Sequence, residues 1–196
     1  MIAGYHVIFS AYGFWLPNDP RGSWSDFVGA RELFRFGPAT KTATRNSVAS
    51  LPHDRSTRMA AKSVLKRPAV KFNGLQARAI GRAFSDYVAK SKLQVWACAI
   101  VPDHVHLVLG PLDMDVEHLV IQMKAAATRE MESENIHPFQ FQRTKTGRVY
   151  KCFARGEWKV YLDREDIPRA IRYVEGNPEK EGLPRQRWTF VSAYAG

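Results

Sequence analysis

Residues 95–110 constrain this chain more than any other stretch. Val95 to Val101 is an apolar run, Pro102-Asp103 supplies a turn, and His104-Val105-His106-Leu107-Val108-Leu109-Gly110 begins a second β-prone run. Alternate residues of a strand project to one face, so His104 and His106 stand side by side while Val105, Leu107 and Leu109 enter the opposite layer. A lone strand histidine is usually a packed or surface residue. Two imidazoles on one rigid apolar strand make half of a metal site, and a third ligand must come from elsewhere.

Lys and Arg outnumber Asp and Glu by 29 to 19 in 196 residues, a formal net charge of +10. Such a surface favours nucleic acid or an anionic membrane. The membrane is the weaker choice, because no apolar run approaches a spanning helix and Met1 to Ser10 lacks the basic start of a signal peptide. The chain reads as a cytoplasmic protein, nucleoid-associated if bacterial. Cys98 and Cys152 have no CxxC spacing; Cys98 reads as a small core residue and Cys152 as an unassigned thiol.

Ile2 to Tyr12 reads as a first strand, with His6, Ile8 and Ser10 on one parity and Tyr5, Val7, Phe9 and Ala11 on the other. Gly13 to Phe36 mixes turn residues with Phe14, Trp15, Trp24, Phe27 and Arg21; these rings either pack the loop or stack on unpaired bases. From Lys41 to Lys71, eight basic residues (Lys41, Arg45, Arg55, Arg58, Lys62, Lys66, Arg67, Lys71) face one acid, Asp54. This stretch is expected to be a phosphate-contacting arm, partly disordered without its ligand. Residues 1–196 are thus expected to form one domain with a basic, loop-rich insertion at about 13–72.

Helices are expected from Gly74 to Leu93, with Asn73 as cap, and from about Val116 to Glu134, where Val116, Leu119, Val120, Met123, Ala127 and Met131 recur at helical spacing. Lys124 on the second helix either meets a nucleic-acid backbone or is solvated, and Arg148 and Lys151 belong to a further basic stretch from His137 to Lys159. Val149–Phe153 and Trp158–Leu162 read as short strands or extended loop. A last helix is expected from an Asp163 cap to about Asn177, where Pro178 disfavours continuation. On it Tyr173 and Asn177 are four residues apart and share a face. The amide oxygen of Asn177 can complete a metal site with two imidazoles, and the same spacing brings the Tyr173 hydroxyl beside that metal.

His104-Val105-His106 resembles the signature of HUH single-strand endonucleases. Tyr173-Val174-Glu175-Gly176-Asn177-Pro178, continuing to Glu181-Gly182-Leu183, resembles the tyrosine helix of REP-associated tyrosine transposases, a branch of the single-tyrosine HUH transposases. His6-Val7-Ile8-Phe9-Ser10 is similar to that family's first strand. Residues 13–72 have no counterpart in the resemblance. Pattern alone gives an α+β class; the resemblance implies an antiparallel sheet of four or five strands with packed helices, on an HUH endonuclease-like (ferredoxin-like or RRM-like) core.

The resemblance further implies that His104, His106 and Asn177 bind magnesium or manganese, and that Tyr173 attacks single-stranded DNA near hairpins through a 5′-phosphotyrosine link that permits strand transfer. Tyr161 is the rival nucleophile, although it lacks an amide four residues later. Arg21, Arg55, Arg58, Lys62, Lys66, Arg67, Lys124, Arg148 and Lys151 are the candidate nucleic-acid contacts. A homodimer, with the tyrosine acting within or across subunits, stays open. Two other readings compete: a domesticated DNA- or RNA-hairpin-binding protein without cleavage, and a zinc protein in which His6 or His118 joins the histidine pair.

Overall fold

A computed structural model describes residues 2–44, 48–49 and 51–196; Arg45 lies outside the described residues. In chain order the elements are strand β1 (Gly4–Ser10), a 3-10 helix (Arg31–Phe36), α1 (Arg55–Ser63), α2 (Gly74–Ser91), β2 (Val95–Ile100), β3 (His104–Leu109), α3 (Val116–Ser133), β4 (Trp158–Leu162), α4 (Ile167–Glu175) and α5 (Asn177–Lys180). They fall into two compact units, one of Met1–Ala11 with Lys71–Gly196 and the other of Tyr12–Val70.

The larger unit carries a four-stranded sheet in the order β2-β3-β1-β4, every neighbouring pair antiparallel. With α2 between β1 and β2 and α3 between β3 and β4, this is the β-α-β-β-α-β ferredoxin-like arrangement. The parity of each strand divides the sheet cleanly. Val7, Phe9, Val105, Leu107 and Leu109 are buried, and Phe9 meets Phe84 of α2 edge-on. On the other face Val108, Ala97, Ala99 and Leu162 pack against Ile167, Ala170 and Val174 of α4. The small Ala97 and Ala99 side chains let that short helix lie on the sheet.

Local chemistry sets the helix ends. Asn73 caps α2 by accepting from the Leu75 and Gln76 amides, and Gln76 returns a bond to the Asn73 amide, a capping box. Every residue of the expected α3 stripe is buried. In α2 the buried residues include Gln76, Ala79, Ile80, Ala83, Phe84 and Val88, while Leu75 faces solvent. The last helix starts later than expected. Asp163 opens a turn closed by the Asp166 amide, Asp166 is the N-cap, and Pro168 falls in the first turn. α4 ends at Glu175, close to the expected Asn177, and Pro178 falls in the first turn of the separate short helix α5. Of Val149–Phe153 only isolated bridges form, Arg143 with Val149 and Ala11 with Phe153.

The chain beyond α5 closes the β2 edge, where unpaired backbone would otherwise invite another strand. The Gln186 side chain accepts from the Ile100 amide at 2.8 Å and donates to the Ile100 carbonyl at 2.7 Å, while the Ser192 amide donates to Val95. Gly81 is required for this return: a Cβ there would run into the Trp188 ring. Among the described residues no helix is long and apolar enough to cross a membrane.

The smaller unit is not an open arm. It has its own apolar cluster, Leu16, Leu33 and Ala61, with Val28, Ala30, Phe36, Val64 and Leu65 against it. Its polar centre is a buried pair. Asp19 is 1% exposed and accepts two bonds of 2.8 Å from Arg21, whose guanidinium carbon lies 3.9 Å from the Trp15 ring centroid. Arg21, expected among the nucleic-acid contacts, is therefore engaged internally, and Trp15 packs rather than standing free. Leaving Asp19 buried without its partner is expected to cost about 3–5 kcal/mol. Chemical denaturation of Arg21→Met should show that loss, whereas Arg55→Ala, at an exposed position, should stay within about 0.5 kcal/mol of the parent.

Candidate active site

The register of β1 against β3 builds the centre of the site. Ile8 lies opposite His106 and Ser10 opposite His104, which makes His6 the diagonal same-face neighbour of His106. Their rings stack with centroids 5.3 Å apart, and His6 Nε2 is 3.1 Å from His106 Nδ1. His104 and His106 stand side by side, as their alternation predicts, with centroids 4.7 Å apart. The carboxylate of Asp103, in the preceding turn, lies 2.7 Å from His104 Nδ1. Trp158 of β4 meets the His6 ring edge-on at 5.4 Å.

α4 brings the tyrosine to this cluster. Val174 is fully buried against the sheet, and its neighbour Tyr173 lays its ring edge-on to both His6 and His106, at 5.7 and 5.8 Å between centroids. Tyr173 remains 42% exposed, so it stands between the buried histidines and solvent. Asn177 is buried and its amide nitrogen donates to the Tyr173 carbonyl at 2.8 Å, which ties the start of α5 to the tyrosine turn. Lys180 of α5 holds its Nζ 4.3 Å from the Tyr173 ring centroid.

Burial decides the charge of the inner histidines. Loss of hydration lowers His6 to about 4. The same cause, reinforced by His104, His6 and Lys180, pushes His106 well below the usual imidazole range. Neutral imidazoles keep a lone pair for a cation. His106 Nε2 is buried and has no hydrogen-bond partner among the described residues, which fits a site for a divalent ion.

The rival assignments fare differently. Tyr161 lies opposite Tyr5, with rings 5.6 Å apart, on the sheet face turned away from the histidines. For a zinc centre, no group of three His, Cys, Asp or Glu side chains is arranged to hold a metal among the described residues. His6 directs Nε2 at His106, and His118 sits on α3 beside Gln122. Lys124, expected as a nucleic-acid contact, turns inward: its ammonium donates to the Ala154 and Gly156 carbonyls at 2.9 and 2.6 Å, and burial lowers it to about 8. Arg148 and Lys151 are exposed in the larger unit; in the smaller, Arg55 and Lys66 are exposed and Arg58, Lys62 and Arg67 half-buried. Cys98 and Cys152 are both buried free thiols, the latter pushed up to about 12 by burial.

Sequence reasoning missed Trp158 and Lys180, and it brought His6 to the histidine pair only as a ligand in the zinc reading. Only the parity of β1 carried a signal, since it put His6 on the face shared with Ile8 and Ser10.

The buried histidines set a pH dependence. The unfolded chain takes up a proton on His6 near pH 6.5, and the folded protein resists until about pH 4. The resulting stability is complete above about pH 6.5 and is lost as pH falls towards 4, a loss of roughly 3 kcal/mol for this group. Thermal unfolding across this range should show a decline that is shallower in His6→Gln.

No family model matches the chain, and no curated protein matches it. Among solved structures it is similar to a REP-associated tyrosine transposase bound to a REP hairpin, at 10% identity over 93% of this chain and 70% of that one, with a TM-score of 0.48. It is also similar to a candidate transposase from Deinococcus radiodurans R1, at 15% identity over 88% of each chain, with a TM-score of 0.40.

Proposed function

We propose that this protein is a metal-dependent single-stranded DNA nicking and joining enzyme of transposase type, acting near hairpins, with Tyr173 as its nucleophile. The observation that carries the reading is the contact of the Tyr173 ring with the buried His6 and His106, the latter with an Nε2 that has no hydrogen-bond partner among the described residues. His104 and His106, with the amide oxygen of Asn177, are the residues that would hold magnesium or manganese. When bound, such an ion neutralises charge that builds on phosphate oxygens and orients the group for in-line displacement.

The chain's own groups account for the rest. The buried Val174 and the Asn177 amide bond to the Tyr173 carbonyl hold the backbone that carries the tyrosine, and the 42% exposure of Tyr173 leaves it open to a solvent-borne substrate. Its oxygen forms a bond to phosphorus as the bond from phosphorus to the 3′ oxygen breaks. The phenol proton is given up, and the departing 3′ oxygen takes up a proton. The product is a 5′-phosphotyrosine with a free 3′-hydroxyl, and reversal on another 3′ end joins strands without a nucleotide cofactor. Lys180, whose ammonium lies over the Tyr173 ring, supplies positive charge where the phenolate and the phosphate meet. The exposed cations Arg55, Lys66, Arg148 and Lys151 are suited to phosphate contacts that give affinity without sequence reading.

The test is incubation of labelled hairpin DNA with manganese or magnesium, followed by a denaturing gel and peptide mapping. Parent protein and Tyr161→Phe should both form a metal-dependent adduct on Tyr173, and Tyr173→Phe should form none. An adduct that survives in Tyr173→Phe would move the nucleophile elsewhere. Hairpin binding with no adduct in the parent protein, under either metal, would replace the enzyme with a binding protein.

A further inference from the structure

Each histidine of the pair has a polar group behind its Nδ1. For His104 it is Asp103 Oδ1 at 2.7 Å, one residue away in the chain. For His106 it is His6 Nε2 at 3.1 Å, a hundred residues away and brought there by the β1–β3 register. A neutral imidazole carries one proton, so a ring that donates through Nδ1 keeps its lone pair on Nε2. A carboxylate only accepts, which makes His104 the donor to Asp103.

Between His6 and His106 two proton orders are conceivable. If His6 donates, the proton of His106 must sit on Nε2, a buried atom with no acceptor among the described residues. If His106 donates through Nδ1, its Nε2 offers a lone pair, and a cation there satisfies it. An N–H buried without an acceptor is the costlier error.

We infer that Asp103 and His6 are positioning residues: they lock His104 and His106 in the Nδ1–H tautomer and thereby present both Nε2 atoms to a divalent cation. This rests on the metal-binding reading proposed above. Groups that hold a ligating histidine by its second nitrogen fix ring orientation and raise ligand basicity, and their removal typically weakens metal binding about 10- to 100-fold. His6 therefore acts through His106 and need not touch substrate.

The test begins without metal. Long-range proton–nitrogen NMR of the histidine rings, above neutral pH, should show Nδ1 protonated and Nε2 bare in both His104 and His106. His6→Leu should scramble the tautomer of His106 and leave that of His104, Asp103→Ala should do the reverse, and His6→Gln, whose amide oxygen still accepts, should restore His106. Manganese affinity, followed by electron paramagnetic resonance, should fall about 10- to 100-fold in His6→Leu and Asp103→Ala and recover largely in His6→Gln. Thermal unfolding checks that each variant folds.

A proton on Nε2 of either histidine in the parent protein would overturn the inference, and that spectrum needs no variant. So would an unchanged His106 tautomer and manganese affinity in folded His6→Leu. A parent protein with the expected tautomers that binds no manganese would instead overturn the metal reading alone.

Discussion

The site depends on one backbone register. β1 lies against β3 so that Ile8 faces His106, and this single alignment places His6 diagonally behind His106 and Ser10 opposite His104. A slip of one residue would send His6 to the α2 side and bring Tyr5 or Val7 to the histidines, because side chains alternate with a period of two. The slip is resisted by the other face, where Val7, Phe9, Val105 and Leu107 are buried together. The apolar layer thus holds the polar one in alignment, and removal of the site would leave the reason for the register intact.

A second constraint comes from α4. Ile167, Ala170 and Val174 are its buried stripe, and Val174 puts Tyr173 at the rim of the histidine cluster rather than inside it. The cluster then combines three environments within one ring contact of each other. His106 is nearly inaccessible, Tyr173 is partly open, and Lys180 is exposed on a separate short helix. Burial keeps the inner imidazoles neutral, while partial exposure leaves the phenol reachable by a large polymer. A wholly buried tyrosine would lose access, and wholly exposed histidines would be free to protonate as pH falls.

The parts of this fold that were legible in the sequence are those written in short-range periodicity. The His104–Leu109 alternation, the α3 stripe and the Asn73 cap each involve residues within a turn or two of one another, and each is seen as expected. Tyr173 and Asn177 were legible as a pair, but they straddle two helices, with Asn177 held to the Tyr173 carbonyl. The roles of metal ligand and nucleophile remain the reading that chemistry and resemblance give to these positions. What short-range pattern could not show is partnership across the chain. Nothing near His6 announces His106, and charge counting treats Arg21 and Lys124 as surface cations although Asp19 and two backbone carbonyls claim them. The core of the smaller unit was hidden for the same reason, since Leu16, Leu33 and Ala61 lie far apart in the sequence.

The central claim is that the register of β1 and β3 builds a cation site beneath Tyr173. Crystals grown with manganese, measured at the manganese absorption edge, test it most directly. The account predicts one anomalous peak within ligand distance of His104 Nε2 and His106 Nε2, on the Tyr173 side of the sheet. Ordered manganese bound only elsewhere, or a clear map with both histidines in place and no peak at saturating metal, would contradict it.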